Sequence, residues 1–280
     1  MPKPRGEARK TPGQASGPSA SSASSADKKS LSDAEIEFVR SLVIYEDGEI
    51  IALNKPPGLS SQGGRIAAHT LDDLLFAFAK PSGVRPRLVH RLDRDTSGVI
   101  LTARSQPAAA FLGKAMMGRR VRKTYLAIVA PGAPSPRDGR IEAPLRRVSQ
   151  GREVHMAVCE ADHPDAESAS TGYRTLAASD EAALLELRPH TGRMHQLRAH
   201  LASIGRPIAG DTRYGGALML AGAAVPRLML HARAIRFPHP AGGERTLEAP
   251  IPADLRALLA QLGLPAPAAS AIPAAQAAPG

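Results

Sequence analysis

Between the apolar pair Leu88-Val89 and the apolar run Val99-Ile100-Leu101, the chain inserts His90-Arg91-Leu92-Asp93-Arg94-Asp95-Thr96-Ser97-Gly98. A strongly charged turn between two strand-like segments restricts the fold: a rigid sheet must carry the strands while the turn stays open to a partner. Two carboxylates, Asp93 and Asp95, stand there among cations, so paired-carboxylate chemistry is the first expectation. Asp93 is the leading candidate for a nucleophile or base, and it needs a cation nearby to stay ionised in a cleft. Arg91 and Arg94 are adjacent in sequence, but neighbours along an extended chain point away from one another. The aimed cation must come from elsewhere.

Charge is concentrated around the same turn. The net charge is +10, and residues 85–124 hold ten Lys or Arg against only Asp93 and Asp95, a local +8. The first thirty residues add +4, so the rest of the chain sums to −2. A basic run is ordinarily a solvated face, but one gathered about a polar turn favours a nucleic-acid partner. Residues 1–31 are rich in Ser, Pro, Gly and Lys and are expected to form a disordered basic tail, since they cannot bury enough apolar surface to offset ordering entropy. Residues 264–280, rich in Ala and Pro and without charge, are expected to be a second tail, leaving 32–263 as the folded region, one large domain or two small ones. The longest apolar run, Ala217–Val225, is far short of the ~20 residues of a membrane span, and no apolar stretch follows the basic start, so neither a membrane protein nor a secretory signal is expected. The single cysteine, Cys159, excludes a disulfide framework and is compatible with the cytoplasm.

Local signals place the elements. Ser32-Asp33-Ala34-Glu35 has capping-box spacing and predicts a helix to about Arg40. Val43–Glu46 and Glu49–Leu53 flank Asp47-Gly48 as a hairpin, which Pro56-Pro57 ends. Thr70-Leu71-Asp72-Asp73 opens a helix with Leu71, Leu74, Leu75 and Phe78 on one face, and residues 107–117 look helical. Strands are predicted at Leu88-Val89, Val99–Ala103, Thr124–Val129, Thr171–Leu176, Ala183–Leu187 and Leu228–Phe237. Met194, Leu197, Leu201 and Ile204 follow helical spacing, stopped by Gly205 and Pro207, and Pro252 begins a last helix to about Leu262. Paired strands with intermittent helices indicate an α+β fold.

The second polar cluster is Arg188-Pro189-His190-Thr191-Gly192-Arg193-Met194-His195-Gln196-Leu197-Arg198. If the Met194/Leu197/Leu201/Ile204 stripe faces the core, Arg193 lies at the mouth of the helix, free to hold a carboxylate with two hydrogen bonds. His190, His195 and His200 recur every five residues, unlike the i,i+4 pair of a helical zinc site, so no metal is expected.

Taken together, His90–Gly98, Lys123-Thr124-Tyr125, Thr191–Arg198 and Gly210-Asp211-Thr212-Arg213-Tyr214-Gly215 resemble the ordered motifs of the RluA-type RNA pseudouridine synthases. Leu53–Gly58 and Leu230-His231-Ala232 extend the resemblance, which covers about residues 42–252. It implies a mixed, largely antiparallel bent sheet with flanking helices and a basic central cleft, and isomerisation of uridine to pseudouridine within RNA without cofactor or metal. It also implies roles: Asp93 as catalytic aspartate, either nucleophile or base, Tyr125 stacked on the flipped uracil and placed to assist proton removal from C5, and Arg193 paired with Asp93. Arg91 is the candidate to fill the gap left by the extruded base, and Asp95 has no catalytic part. His90, Arg94, Lys123, His195, Gln196 and Arg198 are expected to contact RNA. Larger members carry an S4-like module, for which residues 1–41 are too short and polar, so the basic tail is expected to take over phosphate contacts. The wording of Val39–Asp47 is nearest the bacterial large-subunit branch, making 23S rRNA the expected partner, with tRNA as the alternative, and a monomer is expected. Two other classes compete: a non-catalytic RNA-binding assembly factor on the same fold, and an RNA N-glycosidase that releases the base.

Overall fold

The computed structural model describes residues 31–63, 69–151 and 153–267. Helix α1 (Asp33–Ser41) starts at the Ser32/Glu35 capping box. Strands β1 (Val43–Glu46) and β2 (Ile50–Lys55) form the expected hairpin, its turn closed by the Asp47 carboxylate, which accepts the N–H groups of Glu49 and Ile50 at 2.8 and 2.9 Å. The Thr70 cap opens only one α-turn, α2 (Leu71–Leu74), which tightens into a 3₁₀ turn at Leu75–Phe78. Then come β3 (Arg87–Leu88), β4 (Ser97–Ala103), α3 (Gln106–Met117) and β5 (Arg122–Val129). Further along lie β6 (Asp138–Ile141), the hairpin β7 (Leu145–Gln150) and β8 (Glu153–Val158), then β9 (Thr171–Ala178) and β10 (Ala183–Pro189). Helix α4 (Gln196–Ser203), the small hairpin β11 (Met219–Leu220) and β12 (Ala223–Ala224), β13 (Leu230–Pro238), β14 (Glu244–Glu248) and α5 (Ala253–Gln261) complete the order.

Ten strands form one mixed sheet in the order β1-β2-β4-β13-β5-β10-β9-β6, with β3 added to β4 and β14 to β13. Every pairing in it is antiparallel except β4 with β13, where His231 lies opposite Ser97 and Ala232 opposite Gly98. The α+β, largely antiparallel architecture is thus the expected one. Register shifts at Leu184/Leu185 and Ala232/Ala234 mark bulges, which bend a strand and raise its twist. At the parallel seam the strands approach closely: a Cβ on Gly98, whose φ is +117°, would lie 2.2 Å from the Ala232 carbonyl oxygen. The glycine ending the charged turn is therefore demanded by the sheet.

The main core runs through β2, β4, β5, β10 and β13, where Ile51, Leu101, Ile128, Leu185 and Ile235 are fully buried. A smaller cluster of Leu145, Met156, Ala169 and Ala199, joined by Met194 and Tyr214, anchors the β7–β8 hairpin against α4. The apolar stripe assigned to α4 is therefore split. Met194 precedes the helix and faces this second cluster, while Leu197 and Leu201 enter the main core. Pro252 caps α5 instead of occupying its first turn. Leu31 and Leu264, assigned to the tails, both pack on the core, and the Leu264 N–H donates to the Leu259 carbonyl at 2.9 Å. The rest of the N-terminal tail, residues 1–30, and residues 268–280 lie outside the described residues. Among the described residues no helix is long and apolar enough to cross a membrane.

The seam also carries an acid-sensitive group. His231 is fully buried, its Nδ1 sharing a hydrogen bond of 3.0 Å with the Ser97 hydroxyl, and burial pushes its pKa down to about 4. An unfolded histidine takes up its proton near pH 6.5, so the folded chain binds fewer protons between there and about 4, and stability is lost as pH falls through that window. The loss integrates to at most about 3 kcal/mol. Urea denaturation at pH 7 and pH 4.5 should show this fall, and His231→Asn should reduce it. An unchanged pH dependence in the variant would place the acid sensitivity elsewhere.

Candidate active site

The segment before β4 is pinned from both sides. Leu92 is buried, and Ser61 clasps it, donating its hydroxyl to the Leu92 carbonyl at 2.7 Å and accepting the Leu92 N–H at 3.1 Å. Lys55, fully buried at the end of β2, donates to the carbonyls of Pro56, Leu59 and Arg94 at 2.8, 2.8 and 2.9 Å. Burial pushes its ammonium down to about 7, against the pull of Asp95 and Asp93. Gly58 and Arg94 complete the clasp, with Gly58 N–H on the Arg94 carbonyl and Arg94 Nε on the Gly58 carbonyl. The sequence offers Lys55 only as a member of the Leu53–Gly58 motif, with no role of its own. The available signal was a lysine inside an otherwise apolar strand, where a charge has to find three acceptors.

Asp93 leaves this pinned turn toward a cavity of about 1400 Å³. That exceeds the ~300–1,000 Å³ of small-molecule pockets. Eleven Lys or Arg line it against four acids, a wall suited to a polyanion. Tyr125, on β5 opposite Leu187 and Ala232, presents its ring to the same space while staying 8% exposed. Burial, aided by the charge of Asp93, raises its phenol above the ordinary value, so the hydroxyl stays protonated.

Two groups of the second cluster stand next to Asp93: His195 Nε2 and Arg198 Nη1 each lie 4.0 Å from its Oδ2. Such distances are just beyond direct hydrogen bonds, as is common in catalytic sites without substrate. His195 adopts φ +49° at the mouth of α4, a left-handed conformation uncommon for a side-chain-bearing residue. Its Nδ1 shares a 3.0 Å hydrogen bond with the Tyr214 hydroxyl, and burial lowers its pKa although Asp93 opposes the shift. Arg198 is held by a fork of two hydrogen bonds to Asp211, Nε to Oδ2 at 2.7 Å and Nη2 to Oδ1 at 2.8 Å. Its guanidinium also lies over the Tyr214 ring at 5.0 Å. Asp211 and Tyr214 of the Gly210–Gly215 motif therefore hold Arg198 and His195 beside Asp93.

This arrangement corrects the expected Asp93–Arg193 pair. Arg193 lines the cavity, but its Nη1 pairs with Glu167 at 2.9 Å and its Nε donates to the Ser168 carbonyl at 3.1 Å. The cause is where α4 begins. Gln196 is its first residue, and its side-chain oxygen accepts the Arg193 N–H at 3.0 Å, leaving Arg193 in the loop and turning Arg198 to the cavity.

The expected RNA contacts divide. Arg91, Lys123, His195 and Arg198 line the cavity, and burial pushes Lys123 down to about 8. Gln196 also lines the cavity, but it is 4% exposed and its amide donates to the Thr171 hydroxyl and the Ser170 carbonyl. His90 does not line the cavity; its Nε2 accepts the Leu101 N–H at 3.0 Å, and burial keeps it neutral. Arg94 is taken up in the clasp. Asp95 faces a separate cavity of about 500 Å³ behind the Arg198–Asp211 pair, so the two carboxylates do not share a site. Among the described residues no group of three His, Cys, Asp or Glu converges as metal ligands would.

A pinned aspartate facing a buried tyrosine in a large basic cleft defines a class that works on a polyanion. Residues 49–203, just over half of the chain, match the RNA pseudouridylate synthase family. The ribosomal large subunit pseudouridine synthase D of Xanthomonas campestris is 37% identical over 234 residues, covering 79% of this chain and 69% of that one. The mitochondrial RNA pseudouridine synthase 4 of Arabidopsis thaliana is 41% identical over 66% of the chain, which spans only 43% of that relative's length. Human RNA pseudouridylate synthase domain containing 4 has a solved structure that superposes with a TM-score of 0.71 at 27% identity, over 84% of this chain and 99% of that one. The chain belongs to the RNA pseudouridine synthase family, in its RluA-type branch.

Proposed function

We propose that this chain isomerises uridine to pseudouridine in large-subunit (23S) rRNA, with Asp93 as the catalytic carboxylate. The observation that carries the reading is the placement of Asp93 on a doubly clasped turn, facing Tyr125 and beside Arg198. In the proposed reaction the C1′–N1 bond breaks, the uracil turns, and C5 joins C1′. The C5 proton then leaves to solvent and N1 gains one, so no co-reactant is consumed. Asp93 serves at the ribose as nucleophile or base. Arg198 places its positive charge beside it, with His195 as a neutral neighbour. Tyr125 stacks on the uracil as a phenol, which favours ring contact over a role as phenolate base. Arg91, exposed at the cavity wall, occupies the gap left by the flipped base, offsetting an unstacking cost of a few kcal/mol. Relatives named large-subunit synthases, in Xanthomonas campestris and Escherichia coli, support rRNA over tRNA as the substrate.

Tritium release from rRNA labelled at uracil C5 tests the reaction. Release without free uracil is the expected result. Free uracil that still carries its tritium would indicate an N-glycosidase, and binding with neither product would leave an assembly factor.

A further inference from the structure

Among the described residues, eight large apolar side chains are exposed, and Met117 is the most exposed of them at 79%. It is also the only one of the eight that lines the catalytic cavity. Met117 ends α3, and the chain there is firmly capped. Gly118 N–H donates to the Lys114 carbonyl at 2.9 Å, Arg119 N–H to Met116 at 3.1 Å and Arg120 N–H to Ala115 at 2.9 Å. These bonds hold Arg119 at φ +54°, a conformation that side-chain-bearing residues rarely adopt. A methionine left in water on a fixed support is positioned for a partner.

The charges around it indicate which partner. Arg119, Arg120 and Arg122 are exposed and form no ion pair among the described residues. Glu244, a carboxylate within electrostatic reach of Arg120 and Arg122, is already held by Arg236, whose Nε lies 2.9 Å from Oε2. Three unspent guanidiniums around one flexible, polarisable thioether suit phosphates around an unstacked base.

We propose that the lip Met117–Arg122 docks the nucleotides flanking the target uridine, with Met117 packed on a base face and Arg119, Arg120 and Arg122 on the backbone phosphates. The proposal rests on RNA being the substrate. The lip acts on binding and takes no part in bond making, so its effect falls on KM.

The test uses the full chain, tritiated large-subunit rRNA and three exposed-site variants that spare the core. Met117→Gln keeps length and helix propensity but not apolarity. It should raise KM about fivefold, close to the ~1 kcal/mol low end of base stacking, with kcat within about twofold. Met117→Leu should restore KM. The triple change of Arg119, Arg120 and Arg122 to Gln should flatten the log Kd against log salt slope by about 2, at about 0.7 for each phosphate contact. Wild-type KM in Met117→Gln, no rescue by Leu, or an unchanged slope would each overturn the lip while leaving wild-type turnover as evidence for the catalytic reading. A wild-type chain that neither binds the RNA nor releases tritium would overturn both.

Discussion

Asp93→Asn is expected to cut single-turnover tritium release by at least about 1000-fold, a barrier increase of about 4 kcal/mol. The amide has nearly the shape of the carboxylate, so the Ser61 and Lys55 clasps, which grip the backbone of the turn, remain in place. What disappears is the carboxylate proposed to attack the ribose or take its proton. RNA affinity should stay within about twofold, because the eleven cavity cations and their phosphate contacts are untouched. Paired rate and filter-binding measurements separate the two effects. More than a tenth of wild-type turnover in the variant would remove Asp93 from the chemistry, and a large loss of binding would recast it as a structural residue.

The second large effect concerns the two arginines. Arg198→Lys should lower turnover about 100-fold, since an ammonium cannot reproduce the fork to Asp211 and the approach to Asp93 together. Asp211 is 1% exposed, so losing half its partners should also lower the melting temperature. Cutting the charge altogether, as in Arg198→Met, strands a buried carboxylate at a cost of about 3–5 kcal/mol. Arg193→Lys should remain within about threefold of wild type. Its ion pair with Glu167 is 37% and 46% exposed at the two side chains, and such pairs contribute about 0–1 kcal/mol. If Arg193→Lys proved the more damaging of the two, Asp93 would have to meet Arg193 once RNA is bound.

That exchange of arginines shows what local signals convey and what they miss. The caps at Ser32 and Thr70, the hairpin about Asp47 and the stop at Gly205 depend on residues within four positions of each other, and each formed where the spacing placed it. The start of α4 depends instead on the Gln196 amide, whose partners Ser170 and Thr171 lie 26 and 25 residues away, and no period in the sequence encodes that contact. The same holds for the Lys55 and Ser61 clasps, which reach 39 and 31 residues along the chain. Strands β6, β7, β8 and β14 went unread because their runs are charged and only half buried, so alternation is faint. Even so, Gly151 at φ +60° sits between β7 and β8 as a turn marker that could have been used. The composition of the cleft was legible, whereas its wiring had to be seen in three dimensions.

The parallel pairing of β4 with β13 has a last consequence. Asp93 arrives with β4, whereas Tyr125 and Arg198 arrive with β5 and α4 on the far side of β13. The proposed reacting groups therefore belong to opposite banks, and the span between them is set by a bridge only two residue pairs long, His231–Ser97 and Ala232–Gly98. The alignment of these groups is a tolerance of that joint. Gly98 governs the gap by having no side chain to force it open.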